Sequence, residues 1–341
     1  MSTKAWNLTA VTAAFVSLAV AGAAWANGGR GHATEPTVAQ PTGPHPAPGT
    51  RDDFDPVYNV CRGTDPRCYH PWVEDRQNKV LLYTRTAGPR HANLGPSLPA
   101  GLNPALTASH VVQNAIIAWM GERGVAVDWT EDVTRLSNLN QYKAVIFAST
   151  SRDTLWKHGT AVDPAAAVNT RTSAYLDSAK VSLRQYIRAG GGFVGIHNAF
   201  GTEYNWPWYE GLLGNANYYD HGANQNGTVN IVGHDSSTAG LGSFGFRDEW
   251  YNLEPFPTRV KYLATVDENS LETRRTVHPG HGDFHPVAWC QYYDGGRSWV
   301  TTLGHDGQAF TDGSGFPGQA QFKQLIVNGI LSAMGNIPFC R

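Results

Sequence analysis

The sequence predicts an α/β protein: a doubly wound, mostly parallel sheet with additional antiparallel strands in the C-terminal half. Three observations carry this. Between Lys79 and Ile196 short apolar runs alternate with helical patterns, the order that gives parallel strands joined by right-handed crossovers. Gly190-Gly191-Gly192 leads into Phe193-Val194-Gly195-Ile196, a run too short for a helix, bounded by glycine, and so a strand buried on both faces. Beyond Thr228 the runs change character and pair around turn residues, as in Asp294-Gly295-Gly296.

Taken in order, residues 1–26 read as a secretory signal: Lys4, an uncharged run from Leu8 to Ala24, and an Ala24-Trp25-Ala26 cleavage site. A single membrane anchor is the competing reading of the same run. Residues 27–56 mix Gly, Pro, Thr, Ala and His with hardly any large apolar side chain, a linker that cannot bury enough surface to fold. Residues 57–78 form a short approach in which Cys61 and Cys68 are close enough to bridge. Cys290 and Cys340 could form a second bridge tying the tail to the sheet, or Cys290 could be a buried free thiol.

From Lys79 to Arg341, about 260 residues without a dividing linker read as one large domain. Strands are expected at Val80–Tyr83, Val125–Trp129, Val145–Ala148 and Phe193–Ile196, with a helix from about Leu106 to Arg123. Arg152 to Thr170 looks like an insertion. Leu176, Ala179, Leu183, Tyr186 and Ile187 then recur at helical spacing, with Gly190 as C-terminal cap. Thr228–Val232, Val260–Val266, Val287–Tyr293 and Ser298–Leu303 read as hairpin or edge strands, and Gln319–Met334 as a closing helix.

Removing the signal takes the formal net charge from −2 to −3, which gives no electrostatic reason to expect nucleic acid or an anionic membrane as partner. The expected product is a secreted or periplasmic protein, with no membrane contact after cleavage, that takes a small ligand.

The chemistry is expected where the glycine-rich strand ends. His197 emerges there, and ligands of open α/β sheets bind outside the carboxyl ends of the strands. His305, His285, His91 and His221 also follow predicted strands or open loops, and imidazole suits proton transfer near neutrality. Asp248 and Glu249 supply carboxylates. Being adjacent, they point to opposite faces of a strand, and the sequence leaves open which of them meets the pocket. Gathered together, these groups make either a His–carboxylate acid–base pair or a site of N and O ligands for a divalent metal such as zinc. The cluster Glu203, Tyr204, Trp206, Trp208 and Tyr209 offers flat faces for sugar rings and polar groups for hydroxyls, although the aromatics could equally pack the loop onto the sheet.

Six segments in order resemble the ThuA-like (trehalose utilisation) family: Val80–Thr84 with Ala87-Gly88 and Arg90-His91; Gly190–Ala199; Glu203–Gly214; Asp248-Glu249-Trp250-Tyr251; His285–Cys290; and Gly295–Arg297 through Gly304-His305. The resemblance implies a fold of the class I glutamine amidotransferase kind, flavodoxin-like with extra strands, and a link to carbohydrate metabolism. Pro89, Asn198 and the Arg152–Thr170 insertion depart from the family pattern at what would be the pocket rim. Where the amidotransferases carry their thiol nucleophile, this chain resembles them in position but has His197, which cannot form a thioester. His305 resembles their late-strand base.

The resulting expectation is an exported enzyme acting on a small carbohydrate by His/carboxylate acid–base chemistry, with or without a metal; the family association suggests a keto-disaccharide. His197, His305, His285, Asp248 and Glu249 are the expected catalytic groups. His91, Glu203, Tyr204, Trp206, Trp208, Tyr209 and His221 are expected to bind substrate. The alternative is a secreted carbohydrate-binding protein without turnover.

Overall fold

A mixed sheet organises the chain and sets the edge on which the site is built. The structure, a computed structural model, describes residues 53–156, 178–273 and 277–341. The predicted signal, nearly all of the linker, the insertion beyond Trp156 and the start of the helix that follows it lie outside the described residues. Two strands, β1 (Phe54–Asp55) and β2 (Val60–Gly63), precede the parallel series β3 (Gln77–Tyr83), β4 (Ala126–Thr130), β5 (Tyr142–Ala148) and β6 (Gly192–Ile196). Then come β7 (Tyr218–Ile231), β8 (Phe244–Leu253), β9 (Lys261–Asp267), β10 (His285–Tyr293) and β11 (Gly296–Thr301).

The strand order is β4-β3-β5-β6-β11-β10-β9-β7-β8. The first five are mutually parallel, and every pairing from β11 onward is antiparallel. This is a large mixed α/β sheet with the expected division between the two halves of the chain.

Alternation along the strands explains the two cores. Val80 and Leu82 of β3 pack with Ile146 and Val194 beneath α1 (Val111–Gly121) and α4 (Gln319–Met334). Leu81 and Tyr83 face the other way, with Val145, Phe147 and Phe193, toward Leu183, Tyr186 and Ile187 of α2 (Ser178–Arg188). Each such side chain contributes about 1.5–3 kcal/mol by leaving water. Gly192 is required for this packing: a Cβ there would lie 2.4 Å from the carbonyl oxygen of Ala333 on α4.

Several boundaries differ from the sequence expectation for local reasons. The helix expected from Leu106 starts at Val111, because the Thr107 N–H donates to Nδ1 of His110 (2.9 Å) and holds a turn there. Thr228–Val232 proves to be the end of a fourteen-residue strand, β7, whose earlier part is too polar to announce itself. The approach segment does more than lead in, since β2 adds to β10 through Gly63↔Tyr292. The β10–β11 hairpin turns on Asp294 (φ 45°) and Gly295 (φ 95°), the two left-handed positions of a type I′ turn. A short helix between β6 and β7, α3 (Pro207–Leu212), packs its Tyr209 and Leu212 on the second core.

Both cystines form: Cys61–Cys68 and Cys290–Cys340. The second joins β10 to the chain's penultimate residue over a separation of 50. Closing a loop of that length restricts the unfolded chain by about 4 kcal/mol. Replacing both Cys290 and Cys340 by Ala should therefore lower the unfolding free energy by up to about that amount in denaturant titration. A loss under about 1 kcal/mol would show that the bridge constrains little.

Candidate functional site

The site lies where β6 and β11 end and β8 crosses beside them. His197 follows β6 directly, takes the left-handed conformation (φ 52°) and is fully buried. Such a conformation costs a non-glycine residue about 1–3 kcal/mol and persists only where its surroundings enforce it. Here the enforcement is visible. Nδ1 of His197 lies 2.9 Å from the carbonyl oxygen of Thr302 on the β11 exit. A carbonyl only accepts, so Nδ1 carries the proton and Nε2 presents a lone pair. Toward that lone pair Tyr251 directs its hydroxyl (2.9 Å), and Nε2 of His91 stands 3.1 Å away.

Each neighbour is fixed by its own element. Arg90 donates to the carbonyls of Gly95 (2.6 Å), Leu94 (3.1 Å) and Pro96 (3.0 Å) and to Glu131 (2.7 Å). This clamp shapes the loop after β3 and delivers His91. Asn93 then ties that loop to the β11 exit by donating to the carbonyl of His305 (2.9 Å). His305 places Nδ1 3.0 Å from Oε2 of Glu249 on β8.

The open choice between the two acids resolves geometrically. Glu249 faces the histidines: its Oε2 is also 3.9 Å from Nε2 of His197 and 3.7 Å from Nε2 of His221. Asp248 is buried behind them, where it accepts from the N–H groups of Gly304 (2.7 Å), Glu249 (2.8 Å) and His305 (3.3 Å). Its Oδ1 is 3.9 Å from Nδ1 of His197.

Burial and the flanking imidazoles hold His197 well below its ordinary range and push His91 down to about 4, so both are neutral at pH 7. For His305, burial works against the charge, but Glu249 and Asp248 outweigh it and raise the ring above its ordinary value. Glu249 is correspondingly held low: burial would raise it, and His305, His221 and His91 outweigh that. Burial pushes Asp248 up to about 7, against its N–H donors. The result is two neutral imidazoles beside a carboxylate that favours the charged form of His305.

One ligand atom from each of His91, His197, Glu249 and His305 can be chosen so that all lie within 4.8 Å of one another. Nδ1 of His91 and Nδ1 of His305 are buried without a geometrically satisfied hydrogen bond. Neutral imidazoles and a carboxylate, with His197 oriented through its second nitrogen by a backbone carbonyl, are the donor set and outer support that divalent cations such as zinc take. The residues present fit such an ion.

Two clefts share His91. One, of about 540 Å³, is lined by Pro89, Arg90, Asn93 and His305 among others. The second, of about 260 Å³, has walls of Arg152, Asn198, Tyr204, Tyr218, His221, Glu249 and Tyr251.

The structure thus brings together His91, His197, His305, His221, Asp248, Glu249 and Tyr204 of the expected residues, and leaves the others elsewhere. His285 is buried one layer behind, with Nδ1 2.8 Å from Glu268 and Nε2 2.9 Å from the carbonyl of Tyr251. Trp206, Trp208 and Tyr209 are buried in the second core, stacked on one another, and line neither cleft. Trp208 spends its N–H on Asp294 (2.8 Å). Glu203 is sealed against Lys180 at 2.7 Å, both fully buried, and accepts from the N–H of Leu155. These large side chains serve the packing of the loop because it closes the sheet face above Phe147 and Phe193.

Tyr251 and Arg152 were not singled out by the sequence. Tyr251 was findable, since it stands two residues from Glu249 and so shares its face of β8. Arg152 gave no signal beyond opening the insertion.

The fold and site define an α/β protein with a histidine–carboxylate centre at the carboxyl edge of its parallel strands. In sequence, residues 79–333 match the model of the family described as ThuA, trehalose utilisation, and the chain belongs to that family. Similar solved structures are a ThuA-like protein from Bacteroides uniformis ATCC 8492 and one from Parabacteroides merdae ATCC 43184. The first has 20% identity and a TM-score of 0.51, covering 76% of this chain and 93% of its own. The second has 15% identity and a TM-score of 0.50, covering 76% and 90%. None of the curated proteins is detectably similar in sequence.

Histidine ring titration by NMR, on metal-free protein, checks the electrostatics. His91 should titrate near pH 4 and His305 above 6.5. Glu249→Gln removes the charge that favours the His305 imidazolium, so the His305 value should fall. A His305 midpoint unmoved by that substitution would contradict the pairing.

Proposed function

We propose that this chain is an exported enzyme acting on a small carbohydrate, with His91, His197, His305 and Glu249 holding a divalent cation at its centre. The observation that carries the reading is the convergence of those four donors, drawn from four separate segments, within 4.8 Å beside two clefts of ligand size. A bound cation would supply Lewis-acid polarisation of a substrate oxygen. The chain's own groups would do the rest. Tyr218, Tyr204 and Tyr251 give the smaller cleft aromatic walls against which a sugar ring can rest. Tyr251 can hold or return a proton at its hydroxyl, and His221, 3.7 Å from Glu249, is a further proton carrier at the cleft wall.

The carbohydrate class is supported by the trehalose-utilisation family, and a keto-disaccharide is the finer form of that association. Export is supported by the two disulfides and the signal-like start; among the described residues no helix is long and apolar enough to cross a membrane. The parallel strands, in the spatial order second, first, third, fourth, fifth of their series, support the flavodoxin-like, doubly wound reading.

The close His305–Glu249 pair favours a second reading, acid–base chemistry without metal, with His305 as acid and the lone pair of His197 as base. Metal analysis of dialysed protein separates the two. About one equivalent of a divalent cation should be retained, and His197→Ala should lose it. Protein that stays metal-free and shows no thermal shift with zinc or manganese would leave the acid–base reading.

A thermal-shift screen against mono- and disaccharides then supplies a substrate for kinetics. His197→Ala should reduce turnover by at least about 10²-fold, whereas a non-catalytic binder would lose only modest affinity.

A further inference from the structure

Arg152 is set unlike several other arginines of the chain. Arg62, Arg90 and Arg188 each meet a carboxylate, at 2.6, 2.7 and 3.0 Å. Arg152 lines the smaller cleft and, among the described residues, pairs with no carboxylate. Its Nε is buried with no hydrogen-bond partner. The guanidinium carbon lies 5.4 Å from the centroid of the Tyr204 ring, so one face is supported.

The backbone shows that this placement is enforced. Arg152 takes φ 57°, which a non-glycine residue adopts at a cost. Its N–H donates to the carbonyl of Gly201 (2.8 Å), and its own carbonyl accepts from Glu203 (3.0 Å). Its stem packs over Gly88, where a Cβ would fall 2.2 Å from Cγ of Arg152. Glycine at 88 and a left-handed backbone at 152 together let the side chain lie along the cleft wall. Arg152 is half-buried, and its planar fork of N–H donors, with no carboxylate partner among the described residues, matches a carboxylate.

From this arrangement, and resting on the carbohydrate reading above, we infer that the smaller cleft takes an acidic sugar: Arg152 binds its carboxylate while the ring lies on the tyrosines and its reacting end meets the His–Glu centre. Glu249 and Arg152 are on the walls of the same cleft, which gives it an anionic and a cationic side and so a fixed direction for such a ligand. Arg152 is a specificity residue in this scheme.

Isothermal titration compares glucuronate and galacturonate with glucose and galactose on wild type, Arg152→Gln and Arg152→Lys, with acetate and malonate as small carboxylate probes. Wild type should prefer the acids by about tenfold or more. Arg152→Gln should erase that preference by weakening the acids alone, and Arg152→Lys should keep part of it. Thermal melts establish that the variants are folded, and Arg152→Lys carries the test should Arg152→Gln not fold.

Equal binding of acidic and neutral sugars, or a preference that survives in Arg152→Gln, overturns the inference and leaves the carbohydrate reading standing. Arg152-dependent binding of acetate or malonate without binding of any sugar supports the anion subsite and removes the carbohydrate reading. If none of the probes binds, both fall.

Discussion

The buried carboxylate of Asp248 is the constraint on which the site depends. It accepts the N–H groups of Gly304 and His305 and so pins the exit of β11 to β8. That exit carries both the carbonyl of Thr302, which fixes the ring of His197, and the ring of His305. One residue along β8, Glu249 is thereby aimed at the histidines. Remove the carboxylate and three backbone donors lose their acceptor in the interior, where each unsatisfied group costs about 1–3 kcal/mol. The loop would be free to swing, and His305 with it.

Around that anchor the local structure is arranged with little freedom. Arg90 holds the loop of His91 by its carbonyls, Asn93 fastens that loop to the next, and His197 sits in a conformation that a side chain enters only under compulsion. Groups that must meet within a few ångströms are thus delivered by segments from opposite halves of the sequence. Preorganisation of this kind is what a metal centre or an acid–base site requires, because any rearrangement during reaction would add to the barrier. The cost is taken in backbone strain at His197 and in burial of Asp248, and it is met by the packed cores on the two sheet faces.

Much of this was legible in the chain. The parallel strands announced themselves as apolar runs because they are buried on both faces, and the Asp294-Gly295 turn was readable because only left-handed positions suit it. His197 and His305 were legible because both leave strands at the same sheet edge. What escaped notice had physical causes. The first part of β7 is polar, since one side of it faces solvent and cleft, so no hydrophobic period marked it. Trp206, Trp208 and Tyr209 fitted a ligand platform and inward packing equally, because a loop sequence cannot show that it will fold inward over Phe147 and Phe193. His285 looked equivalent to the other histidines until Glu268, seventeen residues earlier, was seen to take its ring. Arg152 depended on tertiary proximity to Gly88 and Tyr204, which no spacing encodes.

The most direct test of the central claim is an anomalous difference map, recorded at the zinc absorption edge, from crystals of the protein grown with zinc. One peak should stand about 2.0–2.2 Å from a ring nitrogen of each of His91, His197 and His305 and from the carboxylate of Glu249. A map with no peak there, the four side chains instead bonded to one another or to water, would contradict it.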